Sequence, residues 1–275
     1  MGRTACAYLA ARATVGTDGI YRRRKPQDFF HSPGEALRRP VTAITSGLVW
    51  SRLMLLAIDT STAQVGLALY DGVQVCGELL WHSRHHHTIE LAPALAELLA
   101  RTGVTMSRIQ ALGVALGPGS FTSLRVGLAL AKGLALARHL PLIGIPTLDA
   151  LAAAQAPSDL PLAAVLQAGR GRLAQVWYKF EENGWQAQGP ARAITAEALA
   201  EEITRPTLVC GELTAEERQR LARKRVNILL ASPAQSVRRP AFLAELAWKR
   251  WQAGQVDDLA ALAPVYLHVG EVIPS

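Results

Sequence analysis

The chain has 275 residues, half of them apolar, and its Lys and Arg outnumber Asp and Glu by seven. It is long enough for one large or two modest cores, and it has no run of about 18 uncharged apolar residues that would span a membrane. Cys6, Cys76 and Cys210 lie far apart with no CxxC pair. This argues against a disulfide framework or zinc site and fits a reducing, cytoplasmic setting.

The positive charge is concentrated at one end. Residues 1–53 hold nine Lys and Arg against three acids, while the remainder is nearly neutral. This segment has no sustained helical or strand period and is expected to be disordered. It reads either as an Arg-rich targeting peptide or as translation assigned too far upstream of Met54. The second fits better, because Met54 opens a strand at once and Asp18, Asp28 and Glu35 are unusual in a targeting peptide. The near-neutral body lacks the basic stripe expected of a protein that binds nucleic acid by itself.

From Met54 the pattern predicts a strand ending at Asp59-Thr60-Ser61, a second strand to Tyr70, a turn at Asp71-Gly72, and a third strand from Val73 to Trp81. Four histidines follow, with His82 and His86 at i, i+4 spacing. They sit in a loop with no carboxylate beside them, which weighs against a metal site. A helix over about 88–101 places Leu91, Leu95 and Leu98 on one stripe, and Gly103 ends it. Ile109 to Leu116 reads as a buried strand.

Next come Gly117-Pro118-Gly119-Ser120-Phe121-Thr122 and a helix to His139. The glycines permit a tight turn and Ser120 suits the N-cap. Along the helix Ser123, Gly127, Ala131 and Ala135 form a strip of small side chains. The other faces are apolar too, so the helix should be covered by its own sheet and by something else. A short strand over 141–146 leads to a helix with Thr147 as N-cap, and residues 156–159 read as a linker.

The second half repeats the theme. Strands are predicted over 162–166, 173–180 and 207–210, and helices over 195–203, 216–225 and from Pro240 to about Gly254, before an extended tail at Pro264-Val265-Tyr266-Leu267. The order suggests two related lobes, 54–157 and 158–275.

The set Leu56-Ala57-Ile58-Asp59-Thr60-Ser61, His87-Thr88, Gly117 to Thr122 with Leu124-Arg125-Val126-Gly127, and the terminal Pro264 to Leu267 resembles the bacterial TsaB family of tRNA threonylcarbamoyladenosine biosynthesis proteins. Ser123 stands where the family usually has Gly, and Gln167-Ala168-Gly169-Arg170 where it often has Asp-Ala-Arg. The resemblance implies a two-lobed α/β fold of the actin-like ATPase and sugar-kinase superfamily, with mixed sheets flanked by helices. It also implies a non-catalytic subunit that assists threonylcarbamoyl transfer to N6 of adenosine 37 in tRNAs reading codons that begin with A. The implied partners are the catalytic paralogue TsaD and the ATPase TsaE, with tRNA met only through the complex and a homodimer formed when the paralogue is absent. Arg170, Arg172, Arg223, Lys224 and Arg225 are available for tRNA in that assembly. No cofactor is expected on the isolated chain, and ATP or ADP is possible at the partner interface.

Asp59, Ser61, Gly117, Gly119 and Ser120 are candidates for a vestigial phosphate site. The paralogue's His-x-x-x-His metal pair falls here on Thr147 and Leu151, and leucine cannot coordinate a metal. The alternative is a stand-alone ATP-dependent enzyme or metallopeptidase, but no second phosphate loop or paired carboxylates are recognisable. For the partner interface the expectation falls on Leu91, Leu95, Leu98, Ser123, Leu124, Gly127, Leu128, Ala131 and Ala135, on the two helices whose apolar surface exceeds what one sheet covers.

Overall fold

The structure is a computed structural model in which residues 53–83, 87–223 and 226–267 are described. The expectations for residues 1–52, for His85, His86, Lys224 and Arg225, and for His268 lie outside that range. Two sheets share one wiring. Strands β1 (Met54–Asp59), β2 (Gln64–Tyr70) and β3 (Val75–His82) form an antiparallel meander. Helix α1 (His87–Thr102), β4 (Ile109–Gly117), α2 (Phe121–Arg138), β5 (Leu142–Pro146) and α3 (Thr147–Ala153) follow, giving the strand order β3-β2-β1-β4-β5 with β1, β4 and β5 parallel.

The same succession returns as β6 (Leu162–Gln167), β7 (Leu173–Glu181), β8 (Gly184–Ala187), β9 (Arg192–Ile194), α4 (Ala196–Glu202), β10 (Thr207–Gly211), α5 (Ala215–Ala222), β11 (Ile228–Leu230) and α6 (Pro240–Gln252). Its sheet runs β11-β10-β6-β7-β8, with β9 also on β7. Strands β8, β9 and β11 are too short to have shown a period in the sequence.

Side-chain alternation on β1 sets the layers. Met54, Leu56 and Ile58 face α1 and α2, while Leu55 and Ala57 face α6. In the second sheet Ala163 and Val165 pack toward α4 and α5, while Leu162, Ala164 and Leu166 pack toward α3. Helix α6, although late in the chain, therefore covers the first sheet. Among the described residues no helix is long and apolar enough to cross a membrane.

Thr147 does not cap α3 as expected. Pro146 takes the N-cap position, and the Thr147 hydroxyl is used elsewhere. Thr195 caps α4, and Thr214 with Glu217 forms a capping box at α5.

Helix α3 is tied to the second sheet by the Tyr178 hydroxyl, which donates to Asp149 Oδ1 at 2.7 Å. Burial raises the Asp149 carboxyl above the usual carboxylate range, with the hydrogen bond opposing it. The protonated form is thus favoured in the fold. The stability this contributes is present below the ordinary carboxylate pKa and is lost as pH rises through the raised value. Asp149→Asn keeps an acceptor for Tyr178 and carries no charge. It is expected to be more stable than the parent at pH 7, with the difference vanishing towards pH 4. Thermal unfolding across that range checks this, and equal midpoints at pH 7 would contradict it.

Candidate functional site

The β1–β2 turn and the glycine loop are clamped together. Ser61 donates its N–H to Asp59 Oδ1 at 2.8 Å and shares a 2.7 Å hydroxyl bond with Thr147, which also accepts the Gly117 N–H at 3.0 Å. Ser120 N–H donates to the Ser61 carbonyl at 2.7 Å. A Cβ on Gly119 would lie 2.2 Å from that carbonyl oxygen, so no larger residue fits. The Gly117–Pro118 bond is cis. On Gly117, at φ +107°, a Cβ would meet the Val265 carbonyl of the tail at 2.5 Å.

Asp59, Ser61, Gly117, Gly119 and Ser120 are therefore brought together, but they hold one another. Thr147 and Leu151 are fully buried, the first in this knot and the second in the apolar core of the second sheet. Among the described residues no group of three His, Cys, Asp or Glu is placed to hold a metal.

Asp59 follows the odd-numbered parity of β1 and points to the α6 side, where it meets Arg238. This arginine is 1 % exposed. Its Nε donates to Asp59 Oδ2 at 3.0 Å, one terminal nitrogen pairs with Glu212 at the end of β10, and the other donates to Thr62 Oγ1 at 3.0 Å and the Gln64 carbonyl at 2.9 Å. Burial works against its charge, but Asp59 and Glu212 outweigh burial and raise its pKa further. One guanidinium thus joins both sheets and neutralises the carboxylate that could otherwise meet a metal or phosphate. Nothing local in the sequence pairs it with Asp59, 179 positions away.

Two concavities flank this knot. A cleft of about 720 Å³ lies between the loops of the two sheets, lined by Thr62, Ser120, Phe121, Gln167 and Tyr266, and by the buried His87, whose Nε2 lies 3.0 Å from the Thr62 carbonyl. A second groove of about 460 Å³ runs on the outer side between α1 and α2, lined mainly by Ala92, Val126, Ala129 and Leu130, with Phe121 and Arg125 at its end.

The family model described as "TsaD: tRNA N6-adenosine threonylcarbamoyltransferase" matches residues 81–234, more than half of the chain. The tRNA threonylcarbamoyladenosine biosynthesis protein TsaB of Bacillus subtilis is 28 % identical over 227 residues, 80 % of this chain and 96 % of that protein. Its Escherichia coli namesake is 32 % identical over 154 residues, 55 % of this chain and 66 % of that protein. The chain belongs to the TsaB family. The solved structure of YeaZ from Pseudomonas aeruginosa has a similar fold, with a TM-score of 0.66 at 24 % identity over 78 % of this chain and all of that one. The fold is the expected mixed α/β architecture, two sheets flanked by helices, and it is shared with that YeaZ structure.

Most of the expected interface residues face inward: Leu95, Leu98, Leu128, Ala131 and Ala135 are buried in the chain's own first-sheet core, and Ser123, Leu124 and Gly127 lie on the same side, while Leu91 is buried there and also lines the floor of the groove between α1 and α2. A Cβ on Gly127 would strike Thr60 Oγ1 at 2.2 Å, so the small strip admits the β1 turn and not a partner. A hydrophobic period shows that a helix has a buried face, not what buries it. Among the described residues, the groove between α1 and α2 lies on the opposite side of these helices.

Arg238→Ala would leave Asp59 buried and Glu212 half-buried without their cation. Loss of about 3–5 kcal/mol of folding stability is expected, measured by urea denaturation, and a loss below about 1 kcal/mol would show that the network is not a structural tie.

Proposed function

We propose that this chain is a non-catalytic subunit in tRNA threonylcarbamoyladenosine biosynthesis. It supports a catalytic paralogue of the TsaD type, which it binds through the outward faces of α1 and α2. The observation that carries this reading is the sealed Asp59 carboxylate. In a working phosphate or metal site that acid has to be free to meet its ligand, whereas here Arg238 already holds it inside the protein. Thr147 and Leu151, at the positions of the paralogue's metal pair, support it further, since one is engaged by Ser61 and Gly117 and the other is core.

The names of the relatives supply the pathway, and the groove between α1 and α2 supplies the surface. Packed against an equivalent helix pair it makes a four-helix contact. Two copies of this chain meet through the same faces when the paralogue is absent. TsaE and tRNA join through the assembled pair in the cytoplasm.

The test mixes the full chain with a TsaD-type paralogue, follows complex formation by light scattering, and measures threonylcarbamoyl transfer to tRNA with and without the chain. A one-to-one complex on which transfer depends, with no ATP hydrolysis by the chain alone, is expected. Failure to associate, together with ATP hydrolysis by the isolated chain, would support the stand-alone enzyme instead.

A further inference from the structure

Most surface arginines whose contacts are described are matched with an acid: Arg101 with Glu97, Arg192 with Glu202, Arg220 with Glu197, Arg239 with Glu78 and Arg250 with Asp257. Arg125 is held differently. Its guanidinium carbon lies 3.6 Å from the centre of the Phe121 ring, its Nε donates to the Tyr266 hydroxyl at 2.9 Å, and the two rings are 4.8 Å apart. No carboxylate pairs with Arg125 among the described residues. Aromatic stacking and a neutral phenol thus fix this exposed side chain without a carboxylate among the described residues to neutralise it.

The place is as specific as the geometry. Arg125 and the 53 % exposed Phe121 stand at one end of the apolar groove between α1 and α2, beside the N-terminus of α2. Both the unpaired cation and the helix dipole favour negative charge there. An ordered Arg beside Tyr and Phe at the edge of an apolar groove has the composition of an interface hot spot.

Resting on the functional reading above, we infer that Arg125 is the charged anchor of the α1–α2 face. It receives an Asp or Glu from the paralogous subunit, whose apolar side chains fill the groove. Tyr266 is the positioning residue: it comes from the tail, crosses to α2, and holds the guanidinium in the orientation that a carboxylate meets with two parallel hydrogen bonds. Lysine at this position offers a point charge and no planar fork, so it does not substitute.

The experiment is calorimetric titration of the full chain with the TsaD-type subunit at two salt concentrations. Arg125→Ala is expected to weaken binding by about tenfold or more, and Arg125→Lys nearly as much. Tyr266→Phe, which removes only the hydroxyl, is expected to cost about three- to fivefold and to add nothing in the Arg125→Ala background, because its effect runs through Arg125. The salt dependence should diminish in Arg125→Ala. Binding by Arg125→Ala within twofold of the parent, or an equal Tyr266→Phe loss in both backgrounds, would overturn the anchor while leaving the functional reading intact. No binding by the unchanged chain would overturn that reading and the anchor with it.

Discussion

Arg238 is the interaction on which the rest of this structure depends. A guanidinium with 1 % exposure is tolerated only where its charge and donors are matched, and here two carboxylates, a hydroxyl and a carbonyl match it. Its partners come from the end of β1, the turn after it, the start of β2 and the end of β10. The residue itself precedes α6, the helix that covers the first sheet from behind. One cation therefore ties the two sheets together at the start of α6, whose Leu243, Ala244 and Ala247 pack on the first sheet.

The consequence for chemistry is direct. A strand-end acid beside a glycine loop is well placed to handle phosphate. In this chain the acid is engaged from within, by the Ser61 N–H and Arg238, while Gly119 and Ser120 of the loop line the open cleft. Ser61 and Thr147 satisfy each other, Gly119 rests on the Ser61 carbonyl, and the tail lies over Gly117. Two concavities remain at the surface, the cleft beside Ser120 and the groove between α1 and α2 with an ordered arginine at its end.

Much of the fold was legible in the sequence because its signals are local. The Gly-Pro-Gly-Ser loop, the Asp71-Gly72 turn, the apolar strands and the Ser120 and Thr195 caps act within a few residues of themselves, and the repeated order of elements carries the two similarly wired sheets. The candidate site was legible only in part. Asp59, Ser61, Gly117, Gly119 and Ser120 do converge, as adjacent tips of β1 and β4 must. Arg238 and Glu212 left no local mark, since nothing in a sequence shows that residues 179 positions apart share a hydrogen bond. What covers α1 and α2 was illegible for a related reason: the leucine stripe and the small strip have the same period whether a sheet or another subunit covers them. Thr147 fails as a cap because a stronger use for its hydroxyl, between Ser61 and Gly117, exists in three dimensions only.

The most direct measurement is hydrogen–deuterium exchange of the chain alone and mixed with a TsaD-type subunit. The account predicts slow exchange in the isolated chain for the segments around Asp59–Gln64 and Thr207–Glu212, unchanged by the partner, and new protection confined to α1, the first turns of α2 and the tail at Tyr266. Fast exchange around Asp59 in the isolated chain, or protection that appears in the cleft and spares α1 and α2, would contradict it.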